Sequence, residues 1–395
     1  MDKVSLEHVW VAIIAGGEGT RLFPYSNPDR PKQFCIINHE KKTFIQNVID
    51  NFSKIGIKRN RIVVITTNEV QTELASEQVL PKGVISQNIH QIAPGLDYGG
   101  AMIEATKFVR SLDKEAIVIN TPADQYIEIS DNFKSTIENA ISEAIKNIFV
   151  VIGVKVNDLK IAMGCGHAIY QEDDNPCHNV LNFVEKPSET EATRIMRSGN
   201  SACSTGISIW NTRAFFRYIP DGSITKMGTN ELMDKLPGLK VAVGDFGWYD
   251  CGTLKSLYTV SRKTPHHKNA SFGGGEIDRF KSLNSLFLCD EGYRLHAAGC
   301  VGVAVVVTTI KSHTTVAVIG LEQSEIVKEL AQEFSRNEKL LTHDFSTRAN
   351  NNHVLFSNMS EDTISCFSCV NGYSVNTYRN DDGTVDVFVS GKYPA

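Results

Sequence analysis

The chain has 395 residues, of which 42% are hydrophobic and 22% charged, with a formal net charge of -5 at pH 7. This balance belongs to a folded protein rather than a disordered one. It also excludes a general nucleic-acid scaffold, which needs a broad basic face, so any anionic ligand must be held by a local cluster of cations.

The opening MDKVSLEHVW lacks an apolar core of signal-peptide length, and residues 301–307, the longest apolar run, fall far short of a membrane span. A cytoplasmic protein with no membrane partner is expected. In that reducing compartment the 9 scattered cysteines read as free thiols. Cys366 and Cys369 make the one CxxC spacing, and it reads as part of a strand or turn. A single core seldom grows beyond roughly 250 to 300 residues, so two domains are expected, with a boundary near residue 270.

Residues 11–15 form a short apolar, partly β-branched run that reads as a buried parallel strand. Gly16, Gly17 and Gly19 follow at once and allow backbone N–H groups to approach an anion closely. Arg21 and Lys32 bring two positive charges, and Pro24, Pro28 and Pro31 stiffen the loop between them. Helices are predicted over 43–52, 68–80 with Asn68 as cap, 99–112, 132–146, 189–198, 212–218, 230–236 and 253–262. Strands are predicted over 61–66, 83–90, 116–120, 149–156, 180–185, 202–210 and 241–246, with 161–170 glycine-bearing and β-like. This alternation predicts a sheet covered by helices on both faces, with ligands beyond the carboxyl ends of its strands.

Residues 263–276 lack periodicity and read as a linker, in which His266 and His267 are solvated side chains. Beyond it the pattern is of strands at 285–289, 301–308, 315–320, 353–356, 363–367, 373–378 and 384–390, with a helix over 324–334. Asp381, Asp382 and Gly383 supply a hairpin turn. A mostly β second domain is expected, with unpaired edges that suit it to forming a homodimer.

Asp124 and Asp250 each follow a predicted strand, where two carboxylates can converge on an oxygen-preferring divalent ion. On the residues alone each is more often a helix cap or turn residue. Glu185 and Lys186 pair a carboxylate suited to sugar hydroxyls with an ammonium suited to phosphate, or else form a strand-end salt bridge.

The stretch GGEGTRLFP followed by PKQF resembles the opening motif of the sugar-1-phosphate nucleotidyltransferases, and its PKQF ending is most like the mannose-1-phosphate guanylyltransferases. NTPADQYI, FVEKP and GWYDCGT resemble further segments of that family. The resemblance implies an α/β fold, a Rossmann-like nucleotidyltransferase domain with a mainly parallel mixed sheet over 1–270, followed by a smaller β-rich accessory or oligomerisation domain over 271–395. It implies transfer of GMP from GTP to mannose 1-phosphate, giving GDP-mannose and pyrophosphate, with Mg²⁺ held by Asp124 and Asp250. Arg21, Lys32 and Lys186 are implied as catalytic. Ala15, Gly16, Gly17, Gly19, Thr20, Gln91 and Asp124 are implied in nucleotide binding, and Gly166, Glu185, Lys186, Ser204 and Thr205 in sugar-phosphate binding. Residues 91–101, QIAPGLDYGGA, depart from the family pattern EPxGRNTAPA. That departure leaves open another nucleotide, another sugar 1-phosphate such as glucose, fucose or heptose, or a catalytically weak sensor.

Overall fold

A computed structural model describes residues 4–391 apart from 18, 39, 221–225, 311–312, 337–353, 360–365 and 371–372. Residue 353 and residues 363–365 of two expected strands lie outside the described residues. The chain separates into two compact units that are not consecutive blocks: Met1–Gly16 with Ile45–Trp248, and Gly17–Phe44 with Tyr249–Ala395.

The first unit is built on a nine-stranded sheet. Its strands are β1 (Val9–Ile14), β2 (Ile62–Thr66), β3 (Ile89–Gln91), β4 (Ile117–Pro122), β6 (Val150–Val154), β7 (Gly166–Gln171), β8 (Cys177–Glu185), β9 (Ser201–Asn211) and β10 (Lys240–Gly244). The two-residue strand β5 (Tyr126–Ile127) stands outside it. The order is β3-β2-β1-β4-β9-β6-β10-β8-β7, parallel from β3 to β4 and mixed beyond. β2 and β6 are buried along their whole length, which explains their unbroken apolar runs. The helix Asp97–Leu112 packs Met102 and Val109 into the same core as Trp210 and Phe215, and the Trp210 indole donates to Thr106 Oγ1 at 3.1 Å. Asn68 caps Glu69–Val79 as expected, its side chain accepting from the Gln71 amide.

Two expectations are corrected here. Residues 161–170 are not uniformly β-like, because Asp158 accepts from the amides of Lys160 and Ile161 and so starts a helix, Leu159–Gly164, before β7 begins. The cysteines are not all free thiols either. Cys165 and Cys203 form a disulfide across 38 residues of sequence, because β7 and β9 pair with His167 opposite Cys203.

The second unit contains β11 through Tyr249 (Trp248–Tyr249) and two five-stranded sheets. One consists of β12 (Ala270–Gly273), β14 (Leu286–Cys289), β16 (Val303–Ile310), β17 (His313–Gly320) and β18 (Val354–Met359). The other consists of β13 (Glu276–Phe280), β15 (Tyr293–Ala298), β19 (Cys366–Val370), β20 (Tyr373–Arg379) and β21 (Val385–Ser390). From β12 to β16 the chain alternates between the sheets and stacks parallel strands, with Phe272, Leu288 and Val306 in register. Phe287, Leu295, Val305 and Val387 fill the interior. The expected linker therefore holds β12 and part of β13. Gly273, at φ +124, turns the chain where a Cβ would collide with the Cys289 carbonyl. The hairpin at 381–383 joins antiparallel β20 and β21 as expected.

The segment Gly17–Phe44 joins this unit through Arg30. Its guanidinium pairs with Asp290 at 2.8 Å and donates to the Tyr25 carbonyl at 2.9 Å and Thr308 Oγ1 at 3.2 Å. A planar cation with several donors is suited to pinning an irregular segment onto a strand unit in this way.

Candidate active site

In the first unit, β1 runs on through Ala15, whose amide donates to the Ile65 carbonyl at 2.8 Å. Gly16 follows where a Cβ would come within 2.5 Å of Thr67 Cγ2, and its carbonyl accepts from Gln71 Nε2 at 3.3 Å. The strand exit is thus tightly packed on one side.

In the second unit, Gly17 is exposed, and its carbonyl accepts from Gln33 Nε2 at 3.0 Å. Gly19, at φ +64, precedes the short 3-10 turn Thr20–Leu22, and a Cβ there would collide with the Lys32 side chain. Lys32 is 3% exposed and donates from Nζ to the Asp250 carbonyl at 2.6 Å. Arg21 Nη2 meets the Asp250 carboxylate at 3.5 Å, both side chains about half exposed. Gly252 lets these groups approach, since a Cβ would fall 2.6 Å from Asp250 Oδ2. Arg21, Lys32 and Asp250, 229 residues apart at the extremes, therefore form one cluster. Asp250 follows β11 rather than a strand of the nine-stranded sheet, so the expected arrangement of both acids on tips of one sheet is corrected.

Asp124 lies just past β4 in the first unit and is partly buried. Burial pushes the Tyr98 phenol well above its ordinary value, and the Asp124 carboxylate adds to the shift. The Tyr98 hydroxyl donates to the Gly206 carbonyl at 3.0 Å. Gly206, at φ +77, sits where a Cβ would meet Pro122 Cγ at 2.7 Å. Tyr98 thus links the surroundings of Asp124 to the turn after Ser204. The sequence offered Tyr98 only as part of an aberrant motif.

A second corner of the first unit gathers Gly166, Glu185 and Lys186. Gly166 pairs with Glu185 across β7 and β8, and a Cβ on it would come 2.7 Å from both Glu185 Oε2 and the Phe183 ring. Lys186, at φ +45, donates its amide to the Cys165 carbonyl at 3.2 Å, and its Nζ lies 3.7 Å from Glu185 Oε1. Ser204 is partly exposed, with its Oγ accepting from the Gly206 amide at 3.2 Å. Thr205 turns inward instead. It is buried, and its hydroxyl donates to the Ile152 carbonyl at 3.1 Å, so it supports the strand.

Gln91 ends β3, and its Oε1 accepts from Thr72 Oγ1 at 3.0 Å. The unusual Gly99 and Gly100 have a packing reason. The Gly100 amide donates to the Met227 carbonyl at 3.1 Å, and a Cβ on Gly99 would come 2.6 Å from the Gly228 carbonyl.

The nucleotidyl transferase family matches residues 11–267, well over half of the chain. The chain belongs to that family. Its match spans the glycine loop, Asp124, the Glu185 corner and Asp250, and the expected enzyme class, a nucleotidyltransferase, is borne out. The family member from Sinorhizobium fredii, a mannose-1-phosphate guanylyltransferase, is 24% identical over 372 residues, covering 85% of this chain and 70% of that one. The Escherichia coli K12 protein of the same name is 23% identical over 320 residues, covering 72% of this chain and 66% of that one. The chain thus spans about two thirds of the length of these relatives. A crystal structure of mannose-1-phosphate geranyltransferase from Thermus thermophilus superposes with a TM-score of 0.70 at 20% identity, covering 83% of this chain and 99% of that one. The fold expected of the family, α/β with a β-rich C-terminal region, is shared. Among the described residues no helix is long and apolar enough to cross a membrane.

Proposed function

We propose that this nucleotidyltransferase transfers GMP from GTP to mannose 1-phosphate, releasing pyrophosphate. The observation that carries the reading is the Arg21, Lys32 and Asp250 cluster on a glycine loop, in a chain whose relatives are named guanylyltransferases. A phosphate oxygen of the sugar 1-phosphate attacks the α-phosphorus of GTP, and the bond to the pyrophosphate bridging oxygen breaks. The nucleophile is already anionic, so no general base is needed. Arg21 takes up charge developing on the departing pyrophosphate, and Lys32 adds a second, preorganised cation. Ala15, Gly16, Gly17, Gly19, Thr20, Gln91 and Asp124 are assigned to the nucleotide, and Glu185, Lys186 and Ser204, beside Gly166, to the sugar phosphate. The carboxylates of Asp124 in the first unit and Asp250 in the second are each hard oxygen donors of the kind that suits Mg²⁺, which would neutralise triphosphate charge. The second unit's strand stack is assigned an accessory role in forming a homodimer.

A second reading keeps the chemistry and changes the substrates, because residues 91–101 lack the Arg-Asn-Thr element and carry the partly buried Tyr98 instead. Pyrophosphate release is measured for GTP, UTP and dTTP, each with mannose, glucose, fucose and heptose 1-phosphates. Preference for GTP with mannose 1-phosphate is expected. Preference for another pair selects the second reading, and nucleotide binding without release selects a sensor.

A further inference from the structure

Cys165, Gly166 and His167 connect two functional edges of the first unit. On one side Gly166 pairs with Glu185, His167 pairs with Val184, and the Cys165 carbonyl accepts from the Lys186 amide. On the other side His167 pairs with Cys203, the residue before Ser204. The disulfide from Cys165 to Cys203 closes this junction covalently. The two residues differ in exposure, since Cys165 is partly exposed and Cys203 is 1% exposed. His167 is buried beside them, with Nε2 at 2.7 Å from the Ala162 carbonyl and 3.7 Å from Cys203 Sγ. Because a carbonyl can only accept, Nε2 carries the hydrogen and can also donate toward sulfur.

We propose that Cys165 and Cys203 form a reversible thiol switch that sets the affinity of the Glu185 and Lys186 corner for its phosphorylated ligand. This rests on the assignment of that corner to the sugar 1-phosphate. A thiolate such as that of glutathione attacks the Cys165 sulfur, the Cys165–Cys203 bond breaks, and Cys203 leaves as a thiolate beside the His167 N–H. A second thiolate of the same kind then displaces Cys165 from the mixed disulfide. Two protein thiols and one oxidised reductant result, and a small-molecule disulfide reverses the exchange. Reduction removes the covalent tie between β9 and the residue that precedes β7, and with it the restraint on the Cys165 carbonyl that accepts from the Lys186 amide.

The sulfurs and the His167 ring also lie close enough together to suggest a metal centre. The Nε2 hydrogen opposes this, and Nδ1 is buried without a hydrogen-bond partner among the described residues, whereas a metal-bound imidazole uses its second nitrogen as a donor.

The test compares the full chain equilibrated in oxidised and in reduced glutathione. Peptide mapping without reductant is expected to find Cys165 linked to Cys203 only in the oxidised sample. Amides of residues 184–186 are expected to exchange faster in the reduced sample. The KM for mannose 1-phosphate rises roughly tenfold on reduction while that for GTP is unchanged, as expected when preorganisation is lost at one subsite. C203S should show the faster exchange in either glutathione. Absence of the cross-link, equal exchange in both samples, or one equivalent of zinc retained by the reduced protein would each overturn the switch. A redox-dependent exchange difference with no turnover of any substrate pair would leave the switch standing and overturn the assigned function.

Discussion

The two cationic corners are built on opposite terms. Lys32 is 3% exposed, with its ammonium fixed on the Asp250 carbonyl and packed 5.2 Å from the Phe44 ring centroid. Lys186 is 67% exposed, reaches Glu185 only at 3.7 Å, and sits on a left-handed backbone. A desolvated ammonium is tolerated only where acceptors are already in place, so the first corner is organised on folding. The second leaves its cation in water. Loss of the first cation should therefore affect fold and rate together, and loss of the second should affect binding alone.

Lys32→Ala gives the largest expected effect, a fall in kcat/KM of about 10³-fold. Its unfolding free energy should also drop by about 1–3 kcal/mol, because the Asp250 carbonyl loses its donor. Kinetics together with urea denaturation check both, and an unchanged unfolding midpoint would break the contrast. Asp290→Asn leaves Arg30 without its charge partner and should cost about 2–3 kcal/mol in the same denaturation assay. Equal stability would mean that Arg30 does not anchor the loop. Gly166→Ala places a Cβ against Glu185 and Phe183, with an expected loss of about 2 kcal/mol and a weakened KM for the sugar phosphate.

Lys186→Ala should raise that KM by roughly tenfold and leave the thermal midpoint within a degree or so of the parent, as for an exposed pair. A large drop in midpoint would place Lys186 with Lys32 after all. Tyr98→Phe is the smallest change, costing about 1 kcal/mol at neutral pH through the lost bond to Gly206. The raised Tyr98 phenol gives stability that is full below the ordinary tyrosine value of about 10 and is lost as pH rises toward the folded value. The variant should therefore lose less stability than the parent above that pH.

The first unit was legible because its strands are buried apolar runs separated by helices with readable caps such as Asn68. The glycine loop and Lys32 were legible through motif and spacing. The collision that makes Gly19 necessary depends on Lys32 folding back onto it, which no local pattern encodes. In the second unit β12 and β13 were missed because their partners are parallel strands further along the chain, with no hairpin turn to announce them. The hairpin of β20 and β21 carries its own turn residues and was found. The disulfide of Cys165 with Cys203 escaped notice because its closeness arises from strand register and not from spacing. Tyr98 acts through the Gly206 carbonyl and Arg30 through Asp290, each contributed by a distant element, so neither had a sequence signal.

On the function proposed above, Asp250 organises the chemistry of transfer and is dispensable for the fold. Pyrophosphate release by wild type and Asp250→Asn, with GTP, mannose 1-phosphate and Mg²⁺ all saturating, tests it most directly when thermal unfolding is recorded on the same samples. The variant is expected to turn over about 10²-fold more slowly or worse, with an unfolding midpoint nearly unmoved. Equal rates in the two proteins would contradict it.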